Sequence, residues 1–207
     1  MSVYAVIDTN VIISSLLTHN QKSPTRIVLD MVREGRIVPM VNSDITEEYR
    51  EVLSRSKFHF SSCDVSEIMG VFSDRGEIFV PDSLRGEFVD LNDVIFYETY
   101  LLKDGAYLVT GNLKHFPVEP RIIPPVDMVG ILHLSEGSTG YILSEATCPY
   151  ISHHRQAKLQ RAWEAVERMR ASALANGISD MTMEEIDEEI RQYREERRAR
   201  RIKEAQK

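Results

Sequence analysis

The sequence carries only two cysteines, Cys63 and Cys148, in 207 residues. Two thiols cannot build a thiolate cage or a disulfide framework, and their scarcity fits a reducing compartment. No apolar run approaches the roughly 20 residues that span a bilayer. The opening Met1-Ser2-Val3 lacks the basic stretch of an export signal, so the expected location is the cytoplasm. Internal repeats and low-complexity tracts are absent, and no His/Cys pair occurs at zinc spacing. Positive charge is short in the larger part of the chain. Residues 1–149 hold 12 Lys+Arg against 21 Asp+Glu, a balance of −9. Such a region has no general attraction for phosphate backbones, so nucleic-acid chemistry there needs bound cations or a local basic patch. Residues 150–207 reverse the sign, with 13 against 11.

What is present is a globular composition, 43% hydrophobic and 28% charged, on a chain long enough for one domain with an appendage or for two small domains. Val3 to Ile7 is a short uncharged apolar run of the kind that forms a buried parallel strand. It stops at Asp8, where Thr9-Asn10 offers capping side chains to a helix marked by Val11, Ile12, Leu16 and Leu17. An acid at the carboxyl end of a central strand stands where open α/β sheets place their sites. A helix cap explains the same acid without any function.

Further along, Ser23-Pro24 opens a second helix that stops at Gly35. Ile37 to Val41 reads as a strand that Pro39 demotes toward a sheet edge or bulge. Ser43 is expected to cap a helix to about Ser54. Ile68, Met69, Val71 and Phe72 suggest another helix, and Ile78 to Val80 a short strand. A helix from about Asp93 to Lys103 ends at Gly105. Strands follow at 107–110 and 121–123, the second closed by Pro124-Pro125. This alternation predicts a parallel sheet covered on both faces.

Three acids on separate elements invite comparison. On a helical wheel Glu48 falls on the flank of the face carrying Ile45, Tyr49, Val52 and Leu53, whereas Glu47 points almost opposite. Glu47 and Glu51 are most simply solvated charges, and Glu48 is either held toward the sheet or bent out to water. Asp93 begins the face that carries Phe96, Tyr97, Tyr100 and Leu101. The helix dipole alone would favour both Asp93 and Asp90, but a carboxylate aimed at the core is costly unless a cation meets it. Asp90 reads as a cap or outer ligand. The strand at 107–110 ends in Gly111-Asn112, a neutral oxygen donor; His115 nearby could contact phosphate, but a lone histidine is more often a local hydrogen-bonding residue, and no catalytic role is expected of it. Asp8, Glu48, Asp93 and Asn112 together make an oxygen-only set suited to a hard ion such as Mg2+ or Mn2+, and so to metal-assisted phosphoryl chemistry.

Four segments in order now resemble the PIN-domain family, in its toxin-like subgroup related to VapC. They are Val6 to Val11; Ser43 through Glu48 to Arg55; Asp90-Leu91-Asn92-Asp93-Val94-Ile95-Phe96; and Leu108 to Pro117. The resemblance covers roughly residues 1–132. It implies a three-layer α/β/α PIN-like fold with a parallel sheet and an Mg2+- or Mn2+-dependent endoribonuclease acting on RNA. Asp8, Glu48 and Asp93 would carry the metal, with Thr9 and Asn10 supporting the first acid. Asn112 stands where many relatives have a fourth Asp, and Val94 where an acid often follows Asp93. A non-catalytic PIN module working through protein or RNA contacts is the alternative.

The remainder changes character. A nuclease-like domain at 1–134, a linker at 135–152 and a helical extension at 153–207 are expected. Leu159, Ala162, Trp163, Val166 and Ala173 mark an amphipathic helix, stopped by Asn176-Gly177. Thr182-Met183-Glu184-Glu185 is a capping box opening a second helix with Met183, Ile186, Ile190 and Tyr193 on one stripe. From Gly177 to Arg201 this part resembles the neutralising tail of small antitoxins that partner PIN toxins. The resemblance implies an antitoxin-like segment acting in cis or swapped across a homodimer, with Arg191, Arg194, Arg197 or Arg198 pairing with the acidic pocket. The simpler reading is an oligomerising or core-docking extension; RNA binding by the same arginines is the rival, diluted by four neighbouring glutamates.

Overall fold

The computed structural model describes residues 2–79, 93–136 and 149–205. In chain order its elements are β1 (Val3–Ile7), α1 (Thr9–Leu17), α2 (Pro24–Arg33), β2 (Ile37–Val41), α3 (Ser43–Leu53), α4 (Ser62–Arg75) and β3 (Glu77–Ile78). There follow α5 (Val94–Leu101), β4 (Tyr107–Val109), β5 (Ile122–Ile123), α6 (Pro125–Glu136), α7 (Pro149–Ala175) and α8 (Met183–Ala205).

The five strands form one parallel sheet in the order β3-β2-β1-β4-β5. Helices cover both faces, giving a three-layer α/β/α fold with a helical extension. β1 lies at the centre, and Ala5, Val6 and Ile7 are fully buried. This is why the run reads as continuously apolar rather than alternating. α2 packs on α1, β2 and α6, while α5 lies against β1, β2 and β4. The chain passes from β1 to β2 on one side and reaches β4 on the other. The carboxyl ends of β1 and β4 therefore flank the switch point at which open α/β sheets bind their ligands.

The proline-bearing strand departs from expectation. β2 is internal, between β1 and β3, and Pro39 pairs in register with Ala5. It is tolerated because β3 pairs only with Met40 and Val41. The ladder on that side begins beyond the residue that cannot donate. β3 itself is Glu77–Ile78, and Val80 lies outside the described residues. Asn42, not Ser43, caps α3, its side chain accepting from the Ile45 amide at 2.8 Å. Helix α6 follows the last strand directly, at the Pro124-Pro125 pair that by sequence marks only the close of that strand. Pro125 is its first residue, a position where a missing N–H costs nothing.

Of the expected linker, residues 137–148 lie outside the described residues, and α7 begins four residues before His153. α7 runs along α4 and α1, burying Ala162, Trp163, Val166, Met169 and Ala173. Arg170 reaches back to the Ser15 carbonyl at 3.1 Å. The Asn176-Gly177 stop holds, with Gly177 at φ +70°, a left-handed conformation that glycine adopts without penalty. α8 then crosses α1 and α3. Its Ile186, Ile190 and Tyr193 are buried, and Glu185 accepts from the Thr182 amide as the capping box requires.

Candidate active site

Asp8 is the first residue past β1, in extended conformation ahead of α1. Its amide donates to the Val109 carbonyl at 2.9 Å, which fixes it beside the end of β4. The side chain makes no cap bond. Instead its Oδ2 accepts from the Thr110 hydroxyl at 2.6 Å. Thr9 and Asn10 do not cap either. Thr9 donates to Glu48 Oε1 at 2.6 Å, and Asn10 Oδ1 accepts from the Gly111 amide at 3.1 Å. Both cap-type residues are turned to the site, contrary to the capping role expected of them. Asp8 is buried, and its pKa is pushed up to about 7. Burial is the main cause and Asp93 adds to it, while Arg194 and the Thr110 hydrogen bond oppose.

Glu48 enters from α3, 1% exposed. The next residue, Tyr49, donates its hydroxyl to the Ile7 carbonyl, and its ring packs against Phe72 and Phe96. This ties α3 to the end of β1 and holds Glu48 toward the sheet rather than toward water. Asp93 precedes α5 as its cap residue, again without a cap bond, and is 2% exposed. Three buried carboxylates from three elements thus meet at the carboxyl end of the sheet.

The cation they require comes from α8. Arg194 places Nη1 2.7 Å from Asp93 Oδ1, Nη2 2.9 Å from Glu48 Oε1 and Nε 3.2 Å from Glu48 Oε2. Burial by itself would depress the guanidinium pKa, but Glu48 and Asp93 more than reverse this and hold it well above the ordinary value. A planar fork bridging two carboxylates is a use to which arginine is suited and lysine is not.

A second set of contacts lies beside the first. Asn112 donates through Nδ2 to Asp187 Oδ2 at 3.1 Å, and Asn10 Nδ2 donates to Asp187 Oδ1 at 2.9 Å. His115 stands between the sets, Nδ1 3.2 Å from Asp93 Oδ2 and Nε2 2.9 Å from Asn112 Nδ2. Because the amide nitrogen can only donate, Nε2 is the acceptor in the Asn112 contact, while Nδ1 lies at ion-pair distance from Asp93 Oδ2. These groups and α8 line a cavity of about 560 Å³.

The four tail arginines separate. Only Arg194 enters the carboxylate cluster. Arg191 turns to Glu188 and Glu195 of its own helix. Arg197 pairs with Glu47, and Arg198 is exposed at the cavity wall. Glu47 and Glu51 are accordingly not plain solvated charges, since Arg197 and Arg200 face them. Asp90 lies outside the described residues. Sequence reasoning missed Thr110 and Asp187, while His115 makes the local hydrogen bond expected of it, to Asn112. Asp187, Ile190 and Arg194 do share a helical stripe, at spacings of three and four. Only knowledge of where α8 docks gives that stripe a meaning.

As a donor set, Asp8, Glu48 and Asp93 are all hard oxygens, chemically matched to Mg2+ or Mn2+. That they hold a buried guanidinium demonstrates enough negative charge to keep a cation there. With Arg194 wedged among them, no group of three His, Cys, Asp or Glu among the described residues is disposed to hold a metal ion. Among the same residues no helix is long and apolar enough to cross a membrane.

The family model described as PIN domain matches residues 4–114, a span that includes Asp8, Glu48, Asp93 and Asn112. No curated protein matches the chain.

Proposed function

The chain belongs to the PIN-domain family, whose members are usually nucleases, and from that premise we propose that it is a divalent-metal-dependent endoribonuclease of the toxin type, restrained by its own α8. The observation that carries this reading is the buried cluster of Asp8, Glu48 and Asp93 with Arg194 clasped between two of its members. Asp8, Asp93 and Glu48 would hold Mg2+ or Mn2+, which when bound supplies a water of lowered pKa and offsets charge on the scissile phosphate. The protein's own part is positional. Thr110 fixes the Asp8 carboxyl and Thr9 fixes Glu48, with His115 3.2 Å from Asp93, so two of the acids are set before any ion or substrate arrives. In this reading α8 is a built-in counterpart of an antitoxin, acting in cis, and its guanidinium competes with the metal for the same oxygens.

A non-catalytic module is favoured by one feature, the amide of Asn112 in place of an acid. RNA cleavage with Mn2+ discriminates, using the full chain, Arg194→Ala, and Arg194→Ala combined with Asp8→Asn. Cleavage that rises in Arg194→Ala and vanishes in the double variant supports the restrained nuclease. Equal activity with and without Arg194 discards the restraint. Silence from all three folded proteins favours the module.

A further inference from the structure

Asp187 is an odd residue for α8 to bring to this place. It sits close enough to Asp8 to push that carboxyl's pKa upward, and Glu184 and Glu188 line the same cavity. Among the described residues no arginine or lysine bridges it. What holds it is a pair of amides from different parts of the chain, Asn10 Nδ2 at 2.9 Å and Asn112 Nδ2 at 3.1 Å, one to each carboxylate oxygen.

These amides are aimed before α8 arrives. Asn10 is 2% exposed, and its Oδ1 is committed to the Gly111 amide, so its Nδ2 must face outward. The Asn112 backbone N–H donates to Thr110 Oγ1 at 3.0 Å, which fixes the turn bearing its side chain. The same threonine hydroxyl donates to Asp8. The two donors therefore share one rigid framework with the carboxylate cluster. Two convergent N–H donors with no charge of their own suit a two-oxygen anion, and an aspartate at position 112 would repel one.

We propose that Asn10 and Asn112 form a subsite for the non-bridging oxygens of an RNA phosphodiester, and that Asp187 occupies it as an internal stand-in. α8 then carries a matched pair on one stripe, an anion at Asp187 for the phosphate and a cation at Arg194 for the acids seven residues later. The amide at position 112 is in this light a substrate donor in place of a metal ligand. The inference rests on the nuclease reading for the identity of the anion.

The test is binding without catalysis. A fluorescently labelled single-stranded RNA 10-mer is titrated in EDTA with the full chain, Asp187→Ala, and Asp187→Ala with Asn112→Ala. Removing Asp187 leaves Arg194 on its carboxylates and should tighten RNA binding roughly tenfold, about the value of one or two good hydrogen bonds. The second substitution should cancel the gain. Equal affinity of the full chain and Asp187→Ala, or a gain that survives Asn112→Ala, overturns the subsite. As a check independent of the Asn112 variant's folding, the side-chain NH2 resonances of Asn10 and Asn112 in Asp187→Ala should shift on adding the RNA. Unmoved resonances, or shifts with inorganic phosphate and none with RNA, overturn the assignment to RNA. A confirmed subsite in a protein that never cleaves would reject the nuclease reading and leave the subsite standing.

Discussion

Asp187 and Arg194 lie seven residues apart on α8, and each meets groups of opposite character at the end of the same sheet. Asp187 accepts from two amides, and Arg194 donates to two carboxylates. The docked helix is complementary to the site in both charge and hydrogen-bond sense.

Lysine at position 194 keeps the charge and loses the fork. Arg194→Lys can satisfy Asp93 or Glu48 but not both with the present geometry. RNA cleavage in Mn2+ should fall between that of the full chain and that of Arg194→Ala. Cleavage equal to the full chain would show that charge alone restrains the site.

Removing the guanidinium outright leaves buried carboxylates facing each other. Loss of one partner from a buried ion pair costs on the order of 3–5 kcal/mol, so Arg194→Ala should melt well below the parent in EDTA. Mn2+ should recover much of that loss by binding the native state alone, with a much smaller shift in the parent. Equal Mn2+ shifts in both proteins would contradict competition between metal and arginine.

Asp8 gives stability a definite dependence on pH. Its native pKa of about 7 lies above the ordinary aspartate value of 3.8, so the native state keeps a proton that the unfolded chain releases. The contribution is fully present below pH 3.8 and is lost as pH rises toward 7. The slope approaches roughly 1.4 kcal/mol per pH unit and the total reaches up to about 4 kcal/mol. Asp8→Asn has no such term. In EDTA its melting temperature should gain on the parent's between pH 4 and 7 and hold a constant lead above that. Parallel curves would place the proton elsewhere.

Thr110→Val removes the hydroxyl that donates to Asp8 Oδ2. That bond favours the ionised carboxyl, so its loss should raise the Asp8 pKa further and cost about 1 kcal/mol of stability at pH 7. The carbonyl stretch of protonated Asp8, followed by infrared difference spectroscopy, reports the shift directly.

Much of this geometry was legible in the sequence because burial writes itself into residue pattern. The uncharged run before Asp8 is buried on both faces, and the stripe of Ile45, Tyr49, Val52 and Leu53 aims Glu48 correctly. Capping was misread for a physical reason. Thr9, Asn10 and Ser43 are chemically able to cap, but Asn42 reaches Ile45 first, while Glu48 and Gly111 draw the other two away. Pro39 misled because the rule against internal proline presumes partners along both sides of the strand, and β3 is too short to supply one. The choice of Arg194 from four arginines was not available to local pattern. It follows from the angle at which α8 crosses α1 and α3, set by Ile186, Ile190 and Tyr193. Asp187 was hidden for the same reason.

The left-handed turn at Gly177 joins a helix sunk into the domain to a helix that lies over its chemistry. On the proposed reading of α8 as a restraint, a lid tethered this way is present at an effective concentration of the order of millimolar whatever the dilution of the protein. Its occupancy is then set by a first-order equilibrium within one molecule, independent of the ratio between two gene products. On that reading, release comes from a competitor for the site or a cut in the tether, and not from dilution.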